Sequence, residues 1–232
     1  GSAWADKSAP LGHIRSIWGS GPADVWVVGD AGMIGRWNGV EWNEVTSPVW
    51  RSLQGVWGSS ATDVWAVGGS GDVLRWNGNN WSLVPGNSGN YFNAVWGTGP
   101  LDVFMTGSGG KVDHWTGLWN LRDIGQINTM MSIWGSSGND IWGVGAYGNA
   151  SHWSNGAWAT SNASTPNWLN GVWGSGPSDA WAVGAKGTLR RWNGSTWLSV
   201  ASNTTEDLYG VWGSGPTDVW VVGEKGTVLH FP

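Results

Sequence analysis

One four-residue segment recurs through the whole chain at an almost constant interval. Val-Trp-Gly-Ser, with small changes, returns with spacings of 39, 39, 38, 39 and 39 residues. Self-similarity at a fixed period indicates a repeat architecture, in which each period is one supersecondary unit. The tryptophans of the segment, used here as anchors, are Trp18, Trp57, Trp96, Trp134, Trp173 and Trp212.

Further aromatic side chains recur inside each period. One lies eight residues after the anchor, another nineteen residues after it, and the last four or five residues later still. Val and Trp favour strands, whereas the Gly-Pro-x-Asp, Gly-x-x-Gly and Asn-Gly segments between them favour turns. Each period therefore predicts four short antiparallel strands, and the whole pattern is typical of β-propeller blades.

The composition indicates which side chains build the core. The 232 residues include 40 glycines and 24 tryptophans. Because a buried Trp removes roughly 200 Å² from water, indole rings can supply most of the apolar burial that such a chain needs. We therefore expect a folded protein whose core is made mainly of tryptophan.

The two ends of the chain predict how the ring of blades closes. The sixth repeat stops after Phe231, before its fourth strand, and Trp4 lies 14 residues before the first anchor. Interior fourth-strand tryptophans precede the next anchor by 15 residues. We expect the segment around Trp4 to complete the last blade, which removes an open sheet edge. The expectation is an all-β protein in which residues 1–232 form a single six-bladed β-propeller, four antiparallel strands per blade.

Charge and cysteine content exclude several functions. The net charge is −5 and 12% of residues are charged, so the chain lacks the basic stripe of a nucleic-acid-binding protein. The absence of cysteine excludes disulfides, thiolate metal sites and a cysteine nucleophile. No apolar run reaches the length of a membrane helix, about 18 residues. We therefore expect neither nucleic acid nor membrane insertion, and no metal ion or cofactor.

An aspartate recurs in the first turn of every repeat. A residue that all six turns share is interpreted as structural, its carboxylate accepting backbone N–H bonds within its own turn. The alternative is a ring of carboxylates that binds cations or sugars. The six positions are Asp24, Asp63, Asp102, Asp140, Asp179 and Asp218.

The sequence shows no catalytic constellation. Carboxylate pairs such as Glu206 with Asp207 and Glu41 with Glu44 lie on turns or outer strands, where they are interpreted as surface charge. No Ser-His-Asp or metal-ligand spacing stands out. We therefore expect a protein that is not an enzyme, and a glycoside hydrolase is the weaker alternative.

The residue before each third-strand aromatic is always arginine or histidine. A shared metal site is excluded because equivalent positions on different blades lie too far apart. The side chains either stack flat on indole rings at the blade boundaries or act as donors at the wall of a sugar pocket. The six positions are Arg36, Arg75, His114, His152, Arg191 and His230.

Five aromatic residues fall outside the repeat pattern. Four lie in or just after the connections between successive repeats, and Tyr147 lies in a turn between the second and third strands. Strand alternation places both kinds of connection on one rim of a propeller, where surplus aromatics either form a recognition surface or cap the core beneath. The expected ligand-binding residues are Trp50, Arg51, Tyr91, Trp168 and Tyr209.

The repeat resembles the tectonin group of Trp-rich propellers and bacterial propeller repeats of the form Val-Trp-Gly-Ser-Gly-Pro-x-Asp-Val-Trp-Ala-Val-Gly. Residues 211–223 and 191–197 carry the resemblance best, and it covers nearly all of the chain. The Gly-Pro-x-Asp turn departs from tectonin repeats, so no individual site residue is transferred.

This resemblance implies a multivalent, non-catalytic lectin with six blades. Its expected partners are glycans or glycoconjugates, cell-surface polysaccharide among them, and its expected location is secreted or at the cell surface. A protein–protein interaction scaffold is the alternative, because one fold serves many functions.

Overall fold

The computed structural model describes residues 12–124 and 128–232 and confirms a six-bladed β-propeller built from antiparallel sheets. Five sheets contain four strands and the sixth contains three. Trp4, expected in the last blade, lies outside the described residues. Over those residues the regular structure is strands and three-residue turns, and no helix is long and apolar enough to cross a membrane.

The chain packs into two compact units, one ending at Phe92 and the other spanning Asn93–Pro232. Two blades belong to the first unit. Blade 1 comprises β1 (Ile14–Gly21), β2 (Asp24–Gly29), β3 (Ile34–Trp37) and β4 (Trp42–Glu44). Blade 2 comprises β5 (Leu53–Ser60), β6 (Asp63–Gly68), β7 (Val73–Trp76) and β8 (Trp81–Leu83).

The other four blades follow in chain order. Blade 3 comprises β9 (Phe92–Gly99), β10 (Asp102–Gly107), β11 (Lys111–Trp115) and β12 (Trp119–Asp123). Blade 4 comprises β13 (Met130–Ser137), β14 (Asp140–Gly145), β15 (Asn149–Ser154) and β16 (Ala157–Asn162). Blade 5 comprises β17 (Leu169–Gly176), β18 (Asp179–Gly184), β19 (Thr188–Trp192) and β20 (Trp197–Ser199). Blade 6 comprises β21 (Leu208–Gly215), β22 (Asp218–Gly223) and β23 (Val228–Phe231).

The strand register aligns repeated residues across each blade. In blade 2 the anchor Trp57 pairs with Trp65 of the second strand, and Trp65 pairs with Arg75 of the third. Trp76, the next residue, pairs with Trp81 of the outer strand. Because successive side chains alternate between the two faces of a strand, this register places the basic residue on the same face as the second-strand ring. The same register recurs in blade 5.

The core lies between neighbouring blades and consists largely of indole. Trp26 of blade 1 contacts the third- and fourth-strand tryptophans of blade 2, with centroid distances of 5.0 Å to Trp76 and 5.3 Å to Trp81. Trp142 of blade 4 repeats this geometry on blade 5, at 5.0 Å from Trp192 and 5.1 Å from Trp197. Tilted and edge-to-face contacts at these distances are favourable beyond simple burial. The repeated tryptophans are therefore needed for blade packing.

The second-strand tryptophan of blade 6 is more exposed than its equivalents in blades 1, 2 and 5. Trp220 is 44% exposed, whereas the equivalent Trp26, Trp65 and Trp181 are at most 1% exposed. Among the described residues β23 is the edge strand of a three-stranded sheet, so one side of this blade carries no further strand. His230 of this blade stacks on Trp220, and its side chain is 39% exposed.

Candidate functional site

The repeated aspartate belongs to a three-residue hydrogen-bond network in every blade. In blade 2 the Asp63 carboxylate accepts from Ser59 Oγ at 2.5 Å and from Arg75 Nε at 2.6 Å. These aspartates accept hydrogen bonds from the side chains of two neighbours, and Asp140 also accepts from the backbone N–H of Ser136 in its own turn, as the sequence predicted. The six networks are Ser20–Asp24–Arg36, Ser59–Asp63–Arg75, Thr98–Asp102–His114, Ser136–Asp140–His152, Ser175–Asp179–Arg191 and Ser214–Asp218–His230.

The basic member of each network stacks on the second-strand aromatic ring of its own blade. The arginine Cζ atoms lie 4.8 Å from the ring centroids in blades 1 and 2 and 4.9 Å in blade 5. The histidine rings lie 3.9, 3.9 and 4.1 Å from their partners in blades 3, 4 and 6. This confirms stacking as the role of these side chains, and the partner in blade 3 is Phe104 where the sequence predicted Trp.

Three of the networks contain Ser or Thr, Asp and His without forming a catalytic triad. In blade 4 the hydroxyl of Ser136 donates to Asp140 Oδ2, while His152 Nε2 is bonded to Asp140 Oδ1 at 2.6 Å. Serine activation requires the histidine to lie between the hydroxyl and the carboxylate, and here the carboxylate lies between the other two. The arrangement therefore holds side chains in place and does not generate a nucleophile.

The networks also fix the charge state of some members. Burial lowers the pKa of His114, although its hydrogen bond to Asp102 opposes that effect. Burial would raise the pKa of Asp140, but hydrogen bonds from His152 and Ser136 outweigh it and the pKa is lowered. Both shifts favour a neutral imidazole at His114 and a carboxylate at Asp140 near neutral pH.

A three-residue turn joins the second and third strands of each blade. The middle residue of this turn has positive φ, at 55° for Ser70 and 57° for Tyr147. The first residue of the turn donates its N–H to the carbonyl of the residue before the inner strand, as from Gly69 to Ser52 and from Ala146 to Thr129. Both kinds of connection therefore lie on one rim of each blade, as the strand alternation predicts.

In the first unit the rim presents an exposed indole beside a fixed guanidinium. Trp50 is 77% exposed, and the Cζ atom of Arg51 lies 5.5 Å from the centroid of its ring. Arg51 donates two hydrogen bonds of 2.8 Å to the carboxylate of Asp72, which is only 4% exposed. The same hydrogen bonds raise the pKa of Arg51. Asp72 is a functional candidate that the sequence analysis missed, because no motif links it to Arg51.

Tyr91 lies close to the same rim turn. Its ring is 44% exposed, and its hydroxyl accepts a hydrogen bond of 2.6 Å from Gln54 Nε2. A Cβ atom at Gly69 would lie 3.5 Å from the Tyr91 ring and 3.9 Å from Arg51 Cβ, so both side chains border that glycine. The structure thus brings three of the expected ligand-binding residues together, namely Trp50, Arg51 and Tyr91. We call them the blade 2 cluster.

In the second unit Trp168 forms an aromatic pair with Tyr147. The ring centroids lie 6.2 Å apart with an interplanar angle of 61°, and the side chains are 40% and 62% exposed. Tyr147 is surplus to the repeat but is not among the ligand-binding residues expected from sequence. The spacing of 21 residues between the two gives no local signal, and they meet because neighbouring blades bring their rim connections together.

Tyr209 lies in a separate, polar part of the rim. It is 51% exposed and donates its hydroxyl to Glu224 Oε1 at 2.8 Å, which raises the pKa of Tyr209. Glu206 pairs with Lys225 at 3.0 Å, and Asp207 accepts the backbone N–H of Lys186 at 2.8 Å. The two acidic residues therefore have structural partners, in agreement with their interpretation as surface charge.

Two features are absent from residues 12–124 and 128–232. One is a metal-binding cluster, and the other is a contact between Tyr209 and the Tyr147–Trp168 pair. No group of three or more His, Asp or Glu side chains there could hold a metal ion. No hydrogen bond or ring contact there joins Tyr209 to Tyr147 or Trp168. The expected site residues therefore fall into three places: the blade 2 cluster, the Tyr147–Trp168 pair, and Tyr209.

Comparisons with known proteins give the fold and no family. No family model matches the chain, and no curated protein matches it. Among solved structures, "YCF48 bound to D1 peptide" superimposes with a TM-score of 0.51 and 14% identity, covering 96% of this chain and 94% of that one. At this identity the likeness supports the propeller fold alone. The resemblance to the tectonin group stays an expectation from sequence.

Proposed function

We propose that this propeller is a non-catalytic lectin that stacks neutral sugar rings on the exposed aromatics of its rim. The observation that carries the proposal is the exposure of Trp50, 77%, in a fold whose second-strand tryptophans are buried almost completely in blades 1, 2, 4 and 5. Leaving apolar area in water costs about 25 cal/mol per Å² relative to burying it. A large exposed indole beside other exposed aromatics indicates a binding surface.

The blade 2 cluster has the chemistry that a sugar ring requires. A pyranose presents an apolar C–H face that fits a flat indole such as Trp50, and hydroxyls around its edge that need hydrogen-bond partners. Arg51 can donate its remaining N–H groups to those hydroxyls, since Asp72 holds the guanidinium in one orientation. The same carboxylate balances the arginine charge, so the cluster favours neutral over anionic sugars.

We expect each single site to bind its sugar weakly, and tight binding to require a clustered glycan. One stacked sugar is expected to bind near millimolar, roughly −4 kcal/mol. Engaging two or more sites of one molecule can raise the apparent affinity by about 10². The expected partners are glycans and glycoconjugates, including cell-surface polysaccharide, which fits a secreted or cell-surface location. Binding is expected to survive a chelator and to depend little on salt.

A glycan array followed by surface plasmon resonance tests the proposal. Wild type should retain neutral glycans, and Trp50→Ala combined with Trp168→Ala should abolish that retention. The melting temperature should stay within a few degrees, because Trp50 is largely exposed and Trp168 is partly exposed. Leu118→Ala is the matched control, since Leu118 is 78% exposed in the turn between β11 and β12, away from the rim. A double variant that folds and binds like wild type would overturn the rim assignment.

A protein-interaction scaffold is the second candidate, favoured by the solved propeller YCF48 with a bound D1 peptide. Exposed aromatics also suit peptide recognition. A protein that retains no glycan on the array, yet binds a peptide library through Trp50 and Trp168, would decide for this candidate. A glycoside hydrolase is the weaker alternative, and turnover of chromogenic glycosides would be its signature.

A further inference from the structure

We infer that Tyr147 and Trp168 form a second sugar site, an aromatic corner that selects hexopyranoses by their exocyclic hydroxymethyl group. This inference rests on the proposed lectin function and names a residue and a selectivity beyond it. The backbone of Tyr147 has φ 57° and ψ 36°. A bulky L-residue rarely adopts this left-handed conformation, because its Cβ crowds the backbone.

The equivalent position in the other blades shows that an aromatic is not needed there. All six middle residues of the rim turns have positive φ, yet five carry a small or flexible side chain. The residues are Ala31, Ser70, Gly109, Tyr147, Lys186 and Lys225. The turn therefore forms without a ring, and the Tyr147 side chain, 62% exposed, contributes little to the core. Strain held at an exposed aromatic residue indicates a function other than packing.

Hydrogen bonds to backbone carbonyls hold the chain at both walls of the corner, Tyr147 on one side and Trp168 on the other. Asn162 Nδ2 donates to the Tyr147 carbonyl at 2.9 Å, and the Ala163 N–H donates to the Gly148 carbonyl at 2.8 Å. On the other wall the Trp168 carbonyl accepts from the Ala185 N–H at 2.9 Å. The backbone that carries both rings is thus fixed before a ligand arrives, which lowers the entropic cost of binding.

The geometry of the pair limits what can bind. With centroids 6.2 Å apart and faces inclined at 61°, no ring can enter between the two side chains, so a ligand must sit in the angle of their faces. A pyranose stacked on Trp168 directs an exocyclic group toward the second wall. A hexopyranose carries a CH₂OH group there and can bury its methylene on Tyr147, whereas a pentopyranose carries hydrogen.

The surroundings of the corner favour a hydroxyl-rich ligand. The connection 163–167 between β16 and β17 contains Ala, Ser, Thr, Pro and Asn, and no charged residue. Asn167 Nδ2 donates to Thr188 Oγ1 at 2.8 Å, and Arg190 Nη2 is bonded to the Ser164 carbonyl at 2.9 Å. Amides and hydroxyls of this kind match sugar hydroxyls, and the Arg190 guanidinium nearby is bonded to the Ser164 carbonyl.

Matched glycosides and matched variants test the inference. Methyl β-D-glucopyranoside and methyl β-D-xylopyranoside differ only by the hydroxymethyl group, and both are titrated while the Trp168 indole N–H resonance is followed by NMR. That resonance is assigned by its loss in Trp168→Phe. Wild type should bind the glucoside about fourfold more tightly, the effect of burying one methylene. Tyr147→Gly should bind the two glycosides equally, with a melting temperature at or above that of wild type.

Lys186→Gly is the control, because it relieves the same positive φ at the equivalent turn of blade 5 without removing a ring. It should keep the wild-type preference. A Tyr147→Gly variant that keeps the preference, or that alone melts several degrees lower, would overturn the inference and leave the lectin proposal standing. Wild type that binds neither glycoside and no array glycan would overturn both. If wild type binds a peptide and no sugar, and Tyr147→Gly no longer binds that peptide, the corner is a site for a protein partner and the inference is overturned.

Discussion

Trp134 of blade 4 lies against Gly174 of blade 5 so closely that a Cβ atom at Gly174 would come within 2.8 Å of the indole Cζ3 atom. The same contact joins Trp18 to Gly58, Trp96 to Gly135, and Trp173 to Gly213. In these four pairs the glycine that follows an anchor tryptophan therefore provides the surface on which the preceding blade packs its own anchor.

Gly174→Ala should consequently destabilise the protein by about 1–3 kcal/mol, the cost of overpacking a close contact. The new methyl group would also lie 2.6 Å from the Asp179 carbonyl oxygen, which cannot move without disturbing the strand pair. Urea denaturation measures the change. Gly176→Ala is the matched control, since no heavy atom lies within 4 Å of its Cβ position. Equal stability of the two variants would contradict this packing argument.

Asp63→Ala should cost about 2–4 kcal/mol of unfolding free energy, because it deprives Ser59 and the half-buried Arg75 of their shared acceptor. Asp218→Ala removes the same network in blade 6, where the Asp218 side chain is 44% exposed and water can replace it. That variant should lose clearly less unfolding free energy than Asp63→Ala, because exposed ion pairs contribute little. Equal losses of unfolding free energy in the two variants would show that burial does not determine how much the network stabilises the protein.

The buried His114 should make stability depend on pH in the acid range. Burial lowers its pKa in the folded state below the unfolded value of about 6.5, so the unfolded chain binds more protons as pH falls. The stabilisation is present above that value and is lost as pH falls below it toward the folded pKa. His114→Gln keeps a donor for Asp102 and cannot titrate. Between pH 7 and pH 5, the unfolding free energy measured in urea should fall less in this variant than in wild type. An equal fall in both proteins would show that another group causes the pH dependence.

The segment around Trp4 remains predicted, from its spacing, to supply the outer strand of blade 6. The described sheet ends at β23 with one edge unpaired, and covering such an edge adds main-chain hydrogen bonds. Deleting residues 1–8 should therefore lower the melting temperature by several degrees in a calorimetric scan. Deleting only Gly1 and Ser2 is the control. A melting temperature unchanged by the longer deletion would contradict the shared blade.

Several features of the fold could be predicted from sequence because the same residue pattern occurs in all six repeats. The order of the strands and the face that Arg75 shares with Trp65 follow from residue spacing and strand alternation, which are local properties. The stacking of the basic residues follows for the same reason. The hydrogen-bond partners of Asp63 could not be predicted. Ser59 and Arg75 both donate to its carboxylate only because the register of three strands brings them together.

The candidate site depended more on tertiary structure. The sequence determined which aromatics the blades do not need, among them Trp50 and Trp168, since a residue outside a sixfold pattern is visible without coordinates. Only the tertiary structure decided what those aromatics contact. Asp72 fixes Arg51 and Tyr147 faces Trp168 because each pair, 21 residues apart, meets where rim connections converge. Spacing inside a strand is set by its fixed period of two, whereas contacts between loops depend on how whole strands and blades twist and pack.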